Sequence, residues 1–360
     1  MRKVAFSFPF ILIALAVWTM SGGAADADRD WPAYAGDKGS TKYSPLDQIN
    51  TNTIKNLRVA WTRSGLPEEL RPMFPDAQAA ANYQHTPLVV GGVMYMSSAV
   101  GAVVALDPTT GKTLWYDELP LRPDGQGRVR GGPTRGIAYW TDGREERIVY
   151  VTPGYRMLAL NAKTGAPIPS FGKNGVVDLK LENGQEIDLI NGEVGLHATP
   201  VIAKDVVIVG AAFKSGGVPR SKSNVKGYVR GFDVKTGKRL WIFHTIPFAN
   251  EYGAETWENN SAAYTGNTGV WAQISVDEEL GMAYLPVELP THDYYGGARP
   301  GNGLFGESLV AIDYRTGERK WHYQLVHHGM WDHDIPCAPI LVNITVNGKA
   351  IKALAQPAKQ

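Results

Sequence analysis

The chain is nearly without cysteine: Cys337 is the single one among 360 residues. No internal disulfide can form, and neither a Cys-based zinc site nor a Cys-x-x-Cys-His haem attachment is possible. An excess of charge of either sign is also missing. Lys plus Arg number 36 and Asp plus Glu 35, a formal net charge of +1. An electrostatic nucleic-acid binder would carry a basic surplus or stripe, so no nucleic-acid partner is expected. Long apolar runs are absent except at the N-terminus. There Arg2 and Lys3 precede an uncharged stretch from Val4 to about Met20, and Ser21, Gly22, Gly23, Ala24 and Ala25 follow before Asp26. A basic start, an apolar stretch and small residues make the pattern of a secretory signal. Residues 1–25 are therefore expected to be a signal peptide, with an uncleaved membrane anchor as the alternative. In a bacterium the exported chain would be periplasmic.

Turn formers and aromatics are abundant: Gly 40, Pro 23, Trp 10 and Tyr 16. This composition favours many short strands over a helical bundle. With 44% hydrophobic and 20% charged residues, the chain can bury a sizeable core.

Repeats decide the fold. Four segments read alike: ALDPTTGKTLW (105–115), ALNAKTGAPIP (159–169), GFDVKTGKRLW (231–241) and AIDYRTGERKW (311–321). Each has an apolar strand end, an Asp or Asn, a Thr-Gly turn and the start of another strand, which ends in Trp in three of them. The turn glycines, at 111, 165, 237 and 317, suit the positive φ of a tight hairpin. β-branched runs lie upstream of each: 86–98, 147–153, 199–212 and 270–286. A unit of several antiparallel strands closed by an Asp-x-x-Thr-Gly turn is a propeller blade; unrelated hairpins in a β-sandwich are the alternative. The irregular spacing of 54, 72 and 80 residues requires insertions, such as the polar, basic segment 214–230.

The pattern Ala-x-Asp-x-x-x-Gly-x-x-x-Trp, complete at Ala105, Asp107, Gly111 and Trp115 and again at Ala311, Asp313, Gly317 and Trp321, resembles the tryptophan-docking repeat of pyrroloquinoline-quinone (PQQ) dehydrogenases. Residues 30–61, 327–336 (HHGMWDHDIP) and 356–360 (QPAKQ) resemble segments of the membrane-type glucose dehydrogenase branch. The resemblance implies an all-β, eight-bladed propeller with PQQ near its axis. About half of the blades would be present, so residues 26–360 are expected to form a partial propeller domain of a truncated chain.

Oxidising an alcohol through a quinone needs a base, an electrophilic carbonyl and a cation that polarises it. By the resemblance, Asp332 in Trp331-Asp332-His333-Asp334 is the base, with Asp334 as its competitor. Lys359 would contact the quinone oxygens, and Arg135 a PQQ carboxylate, which a guanidinium fork suits. Trp271 would form the floor under the planar ring, with blade core as its alternative. His197 falls on a further cofactor-contact position. His322, His327, His328 and His333 crowd one stretch, but without regular metal-ligand spacing.

Three departures from the family pattern stand out. Val129 and Arg130 replace the vicinal cysteines of methanol-type enzymes, as the glucose-type branch allows. Gly131 replaces the glucose-type histidine four residues before Arg135, which speaks against glucose itself as substrate. The usual metal ligands are not recovered, so either Glu288 helps to hold calcium, or Lys214 supplies a built-in cation, or the loop alignment is shifted. The expected function is oxidation of a sugar or alcohol, with electrons leaving to a membrane quinone or a cytochrome. A non-catalytic propeller scaffold and an inactive relative are the rival readings.

Overall fold

The computed structural model describes residues 30–73, 84–117, 135–152, 154–196, 198–213 and 221–359. The signal-peptide reading of residues 1–25 lies outside them.

The repeats become four-stranded antiparallel sheets. Blade A holds β1 (Leu88–Val90), β2 (Val93–Ser97), β3 (Val103–Leu106) and β4 (Thr113–Tyr116), side by side in chain order. Blade B holds β5 (Ala138–Thr141), β6 (Glu146–Val151), β7 (Arg156–Asn161) and β8 (Val176–Asp178). A short strand β9 (Val194–Gly195) precedes blade C, which begins with β10 (Val201–Ala203) and β11 (Val206–Val209). The next strand, β12 (Ala212–Phe213), pairs with β9 instead, and β13 (Val229–Asp233) and β14 (Arg239–Phe243) complete blade C. Blade D is β15 (Ser275–Asp277), β16 (Met282–Pro286), β17 (Ser308–Asp313) and β18 (Arg319–Gln324), and a hairpin of β19 (Ile340–Val346) and β20 (Lys349–Ala355) follows. The sheets do not close into a ring; the architecture is a partial propeller.

Strand alternation builds the core. Successive side chains leave a strand on opposite faces. Ile148 and Tyr150 of β6 pack with Val103 and Ala105 of blade A. Their neighbours Val149 and Val151 pack with Val207 and Val209 of blade C. On β11, Val206 and Ile208 turn the other way and meet Val310 and Ile312 of blade D. Middle strands are thus buried on both faces and read as continuous apolar runs. Outer strands such as β4 alternate between partly buried and exposed residues.

The Thr-Gly turns lock these seams. Asp107 Oδ1 accepts the N–H groups of Thr109 and Thr110 at 2.7 and 3.0 Å, and Asp233 does the same for Lys235 and Thr236. These Asx turns explain the Asp or Asn that opens each motif. An indole from the preceding outer segment then lies on the turn glycine. A methyl on Gly165 would stand 2.5 Å from Trp115, and Gly111 and Gly317 face Trp61 and Trp241 as closely. Each indole also donates its N–H to the carbonyl one residue after the motif Asp or Asn. The bonds are Trp61 to Pro108 (3.0 Å), Trp115 to Ala162 (3.1 Å) and Trp241 to Tyr314 (2.9 Å).

Blade B has Pro169 where the tryptophan belongs, and its seam is closed differently. Arg147 donates to the equivalent carbonyl, that of Val234, at 3.1 Å and to that of Lys235 at 2.8 Å. Val177 packs against Gly237 in place of the indole.

The first strand of each blade lies at the hub: β10 rests against β5 and β15, and β15 against β19. The N-terminal segment crosses these inner edges. Trp31 pairs with Val89 on β1, while the carbonyls of Lys38 and Gly39 accept the N–H groups of Val276 and Leu341.

Arg147 is 4% exposed. Arg147→Met should destabilise the fold by about 2–4 kcal/mol, because the buried Val234 carbonyl and the partly buried Lys235 carbonyl lose a charged donor. Trp241→Phe, which keeps a ring near Gly317 but loses the N–H and part of the buried indole, should cost about 2–3 kcal/mol. Urea unfolding curves measure both losses; a loss below about 1 kcal/mol for Arg147→Met would refute the substitute role.

Candidate active site

Arg135, Trp271, Glu288, Asp332, Asp334 and Lys359 collect at one end of the hub. Arg135 leads into β5 and Trp271 into β15, while Asp332 and Asp334 precede β19. Glu288 follows β16 and Lys359 follows β20. In an antiparallel blade the first strand begins at the end where the second finishes. Segments far apart in the chain therefore meet at this end.

The Arg135 guanidinium lies over the Trp271 ring, 5.0 Å from its centroid. It donates to Gln84 Oε1 at 3.2 Å and to the Trp271 carbonyl at 3.5 Å. Burial lowers its pKa. No carboxylate among the described residues forms an ion pair with it. A half-buried guanidinium with neutral partners, within cation–π distance of an indole, suits a planar anionic ligand.

Lys359 and Asp332, 27 positions apart, are joined twice. The ammonium lies 3.2 Å from Asp332 Oδ2 and donates to the Asp332 carbonyl at 2.7 Å. Both side chains are 35% exposed, so the Asp332 carboxylate remains within reach of a substrate. Asp334 is engaged inside: its Oδ2 accepts the Trp271 indole N–H at 3.1 Å, and its Oδ1 the Leu289 N–H at 2.8 Å. Burial, above all, pushes its carboxyl up to about 6; the charge of Asp332 adds to this, and the bond from Leu289 opposes it. Of the two competitors for the base, Asp332 is the accessible one.

Glu288 is buried, and its Oε1 accepts the Gly269 N–H at 2.9 Å. Burial, then Asp334, raises its pKa well above the ordinary value. Its surroundings hold an excess of negative charge, as a calcium ligand requires. Among the described residues, however, no three of His, Cys, Asp and Glu gather as metal ligands. Two of the crowded histidines have structural partners: His328 Nδ1 meets the Gly301 carbonyl at 2.7 Å, and His322 stands edge-on to Phe305. His197, the stretch 129–131 and Lys214 lie outside the described residues.

Three residues at this site escaped the sequence reading. Glu307, 1% exposed, stands behind Gly329 and receives the His333 N–H. Burial first, then Asp334 and Asp332, pushes it up to about 7 against the pull of Arg299. Arg299 is buried and donates to the carbonyls of Thr291, His292 and Gly329. The Asp293 carbonyl accepts the Asp332 N–H, and burial followed by Asp332 raises the Asp293 carboxyl. The available signal was Glu307 itself, an acid at the mouth of the apolar run of β17. Backbone strain gathers here too: His292, Glu307, His328 and Asp332 all have positive φ, 47–77°.

The profile of the PQQ-dependent family described as glucose/ethanol/alcohol dehydrogenase, β-propeller domain, matches residues 31–360. The chain belongs to this family. It is 30% identical over 349 residues to the quinoprotein glucose dehydrogenase of Escherichia coli (strain K12), covering 92% of this chain and 42% of that one. The quinoprotein glucose dehydrogenase A of Acinetobacter calcoaceticus is 32% identical over 345 residues, 88% of this chain and 40% of the relative. The solved quinohemoprotein alcohol dehydrogenase of Comamonas testosteroni superposes with a TM-score of 0.72 at 26% identity, over 93% of this chain and 49% of that structure. The chain thus spans about two-fifths of the length of the relatives it matches.

The raised acids set a pH dependence. In the fold Glu307 keeps its proton to a pH of about 7, and unfolded only to about its ordinary 4.5. The folded state binds more protons between these values, so stability falls as pH rises from about 4.5 to 7. Glu307→Gln should remove a share of that slope on the order of 3 kcal/mol in the cofactor-free protein. Thermal melts at pH 5 and pH 7.5 measure it; an unchanged difference between the two would contradict the raised value.

Proposed function

We propose that the protein containing this chain is a periplasmic PQQ-dependent dehydrogenase that oxidises a hydroxyl group of a sugar or alcohol. Its electrons pass to a membrane quinone or a cytochrome. The observation that carries this reading is the convergence of Arg135, Trp271, Asp332 and Lys359 at one end of the hub. They come from four separate chain segments, and a propeller scaffold that bound no cofactor would have no common reason to hold them together. Family membership supports the chemistry, and the pattern of residues 1–25 supports export.

Trp271 offers a planar floor, and Arg135 pairs with a carboxylate at its rim. These two residues would hold PQQ, whose chemistry would be that of an electrophilic carbonyl acting as hydride acceptor. Asp332 takes the proton of the substrate hydroxyl. Lys359, beside the base, sets an ammonium where negative charge develops on the oxygens of the bound ring. Glu288 is the carboxylate that calcium would use, and a cation there relieves its repulsion with Asp334.

Reconstituting the intact protein with PQQ and calcium should give the absorbance of a bound quinone and PQQ-dependent turnover. Asp332→Asn should lower turnover by about 10²–10⁴-fold and leave PQQ affinity within about threefold, since the amide keeps the shape but takes no proton. Near-normal turnover in Asp332→Asn would move the base elsewhere. No uptake of PQQ across a range of metals would favour the scaffold, and release of the protein by osmotic shock checks the compartment.

A further inference from the structure

The proposed function uses Trp271 as floor and Asp332 as base, and leaves Asp334 without a task. Both oxygens of Asp334 are nevertheless committed, one to the Trp271 indole N–H and one to the Leu289 N–H. The two donors lie 63 and 45 positions away in the chain. Trp271 leads into β15, Leu289 follows Glu288 beyond β16, and Asp334 belongs to the segment that carries Asp332. One carboxylate therefore ties three segments that meet only in the fold.

We propose that Asp334 is a positioning residue that sets the plane of the Trp271 ring and, through the two-residue link to Asp332, the place of the base above it. The inference rests on the reading that a quinone lies on Trp271. An indole held only by packing and by the Arg135 guanidinium can still tilt about its side-chain bonds; a bond at Nε1 stops that tilt. A carboxylate acceptor makes the bond charge-assisted, roughly twice as strong as a neutral one. Asp334 is poorly placed to be the base itself. Taking a proton on either oxygen would compete with a bond already made, whereas the Asp332 carboxylate faces the Lys359 ammonium at a partly exposed site.

The test compares the intact wild-type protein with Asp334→Asn, Trp271→Phe and the double variant. Asn keeps an acceptor for Leu289 and turns its amide N–H groups toward the indole. Phe keeps a ring and deletes the donor. One readout is the indole N–H resonance of Trp271 in the cofactor-free, 15N-labelled protein, identified by its loss in Trp271→Phe. Asp334→Asn should shift it upfield. The other is the PQQ dissociation constant. Each single variant should weaken binding about tenfold, and the double variant no more than the weaker-binding single, because both remove one bond. An unmoved indole resonance, or losses that multiply to about a hundredfold in the double variant, would overturn the clamp. If Asp334→Asn does not fold, Trp271→Phe decides alone: unchanged PQQ affinity would overturn the proposal. A wild-type protein that takes up no PQQ refutes the functional reading instead, and the indole resonance still decides whether the bond exists.

Discussion

Face-to-face packing of the blades is the constraint on which the rest of this structure depends. Each blade is too small to bury its own apolar side chains, so β6, β11 and β17 bury residues toward a neighbour on both faces. That forces near-continuous apolar runs in the middle strands and leaves polarity to the outer ones. It also fixes where the first strands lie. With every blade pressed against the next, β5, β10, β15 and β19 stand side by side at the hub, and the segments leading into them are brought to one end.

The seams use one geometry with two chemistries. Where an indole is available, its face covers a turn glycine and its N–H satisfies a carbonyl. Where it is missing, Arg147 supplies the donor from a different strand of the same blade, and Val177 supplies the apolar cover. What the seam requires is a donor at that carbonyl and an apolar surface on the glycine, rather than a tryptophan as such.

The active-site end works against this cohesion. Glu288, Asp293, Glu307 and Asp334 are all raised by burial and by neighbouring acids, and four residues there adopt left-handed backbone. Lys359 and Arg299 offset only part of the negative charge. Such a cluster costs stability, and it is held in place by the surrounding blades. At the opposite rim Arg135 carries positive charge over the indole. The site is thus polarised across Trp271, with a cation ready for an anionic ring and carboxylates ready for a proton or a cation.

The blades were legible in the sequence because their determinants are local. The Asx turn at Asp107, the positive φ of Gly111 and Trp115 at the strand end each act within a few residues, and they recur in register. Asp332, Lys359, Arg135 and Trp271 were singled out only through a family pattern, since nothing within ten residues of Lys359 distinguishes it from any other lysine. The roles of Glu307, Arg299 and Asp334 belong to the tertiary structure alone. Burial and partners from distant segments define them: Glu307 is raised by acids from another loop, and Asp334 bonds to residues 63 and 45 positions away. Local sequence therefore determined the repeating unit and its turns. Only the packed seams decided which acids lie exposed and which are committed inside, because desolvation and long-range hydrogen bonds exist only after the blades have come together.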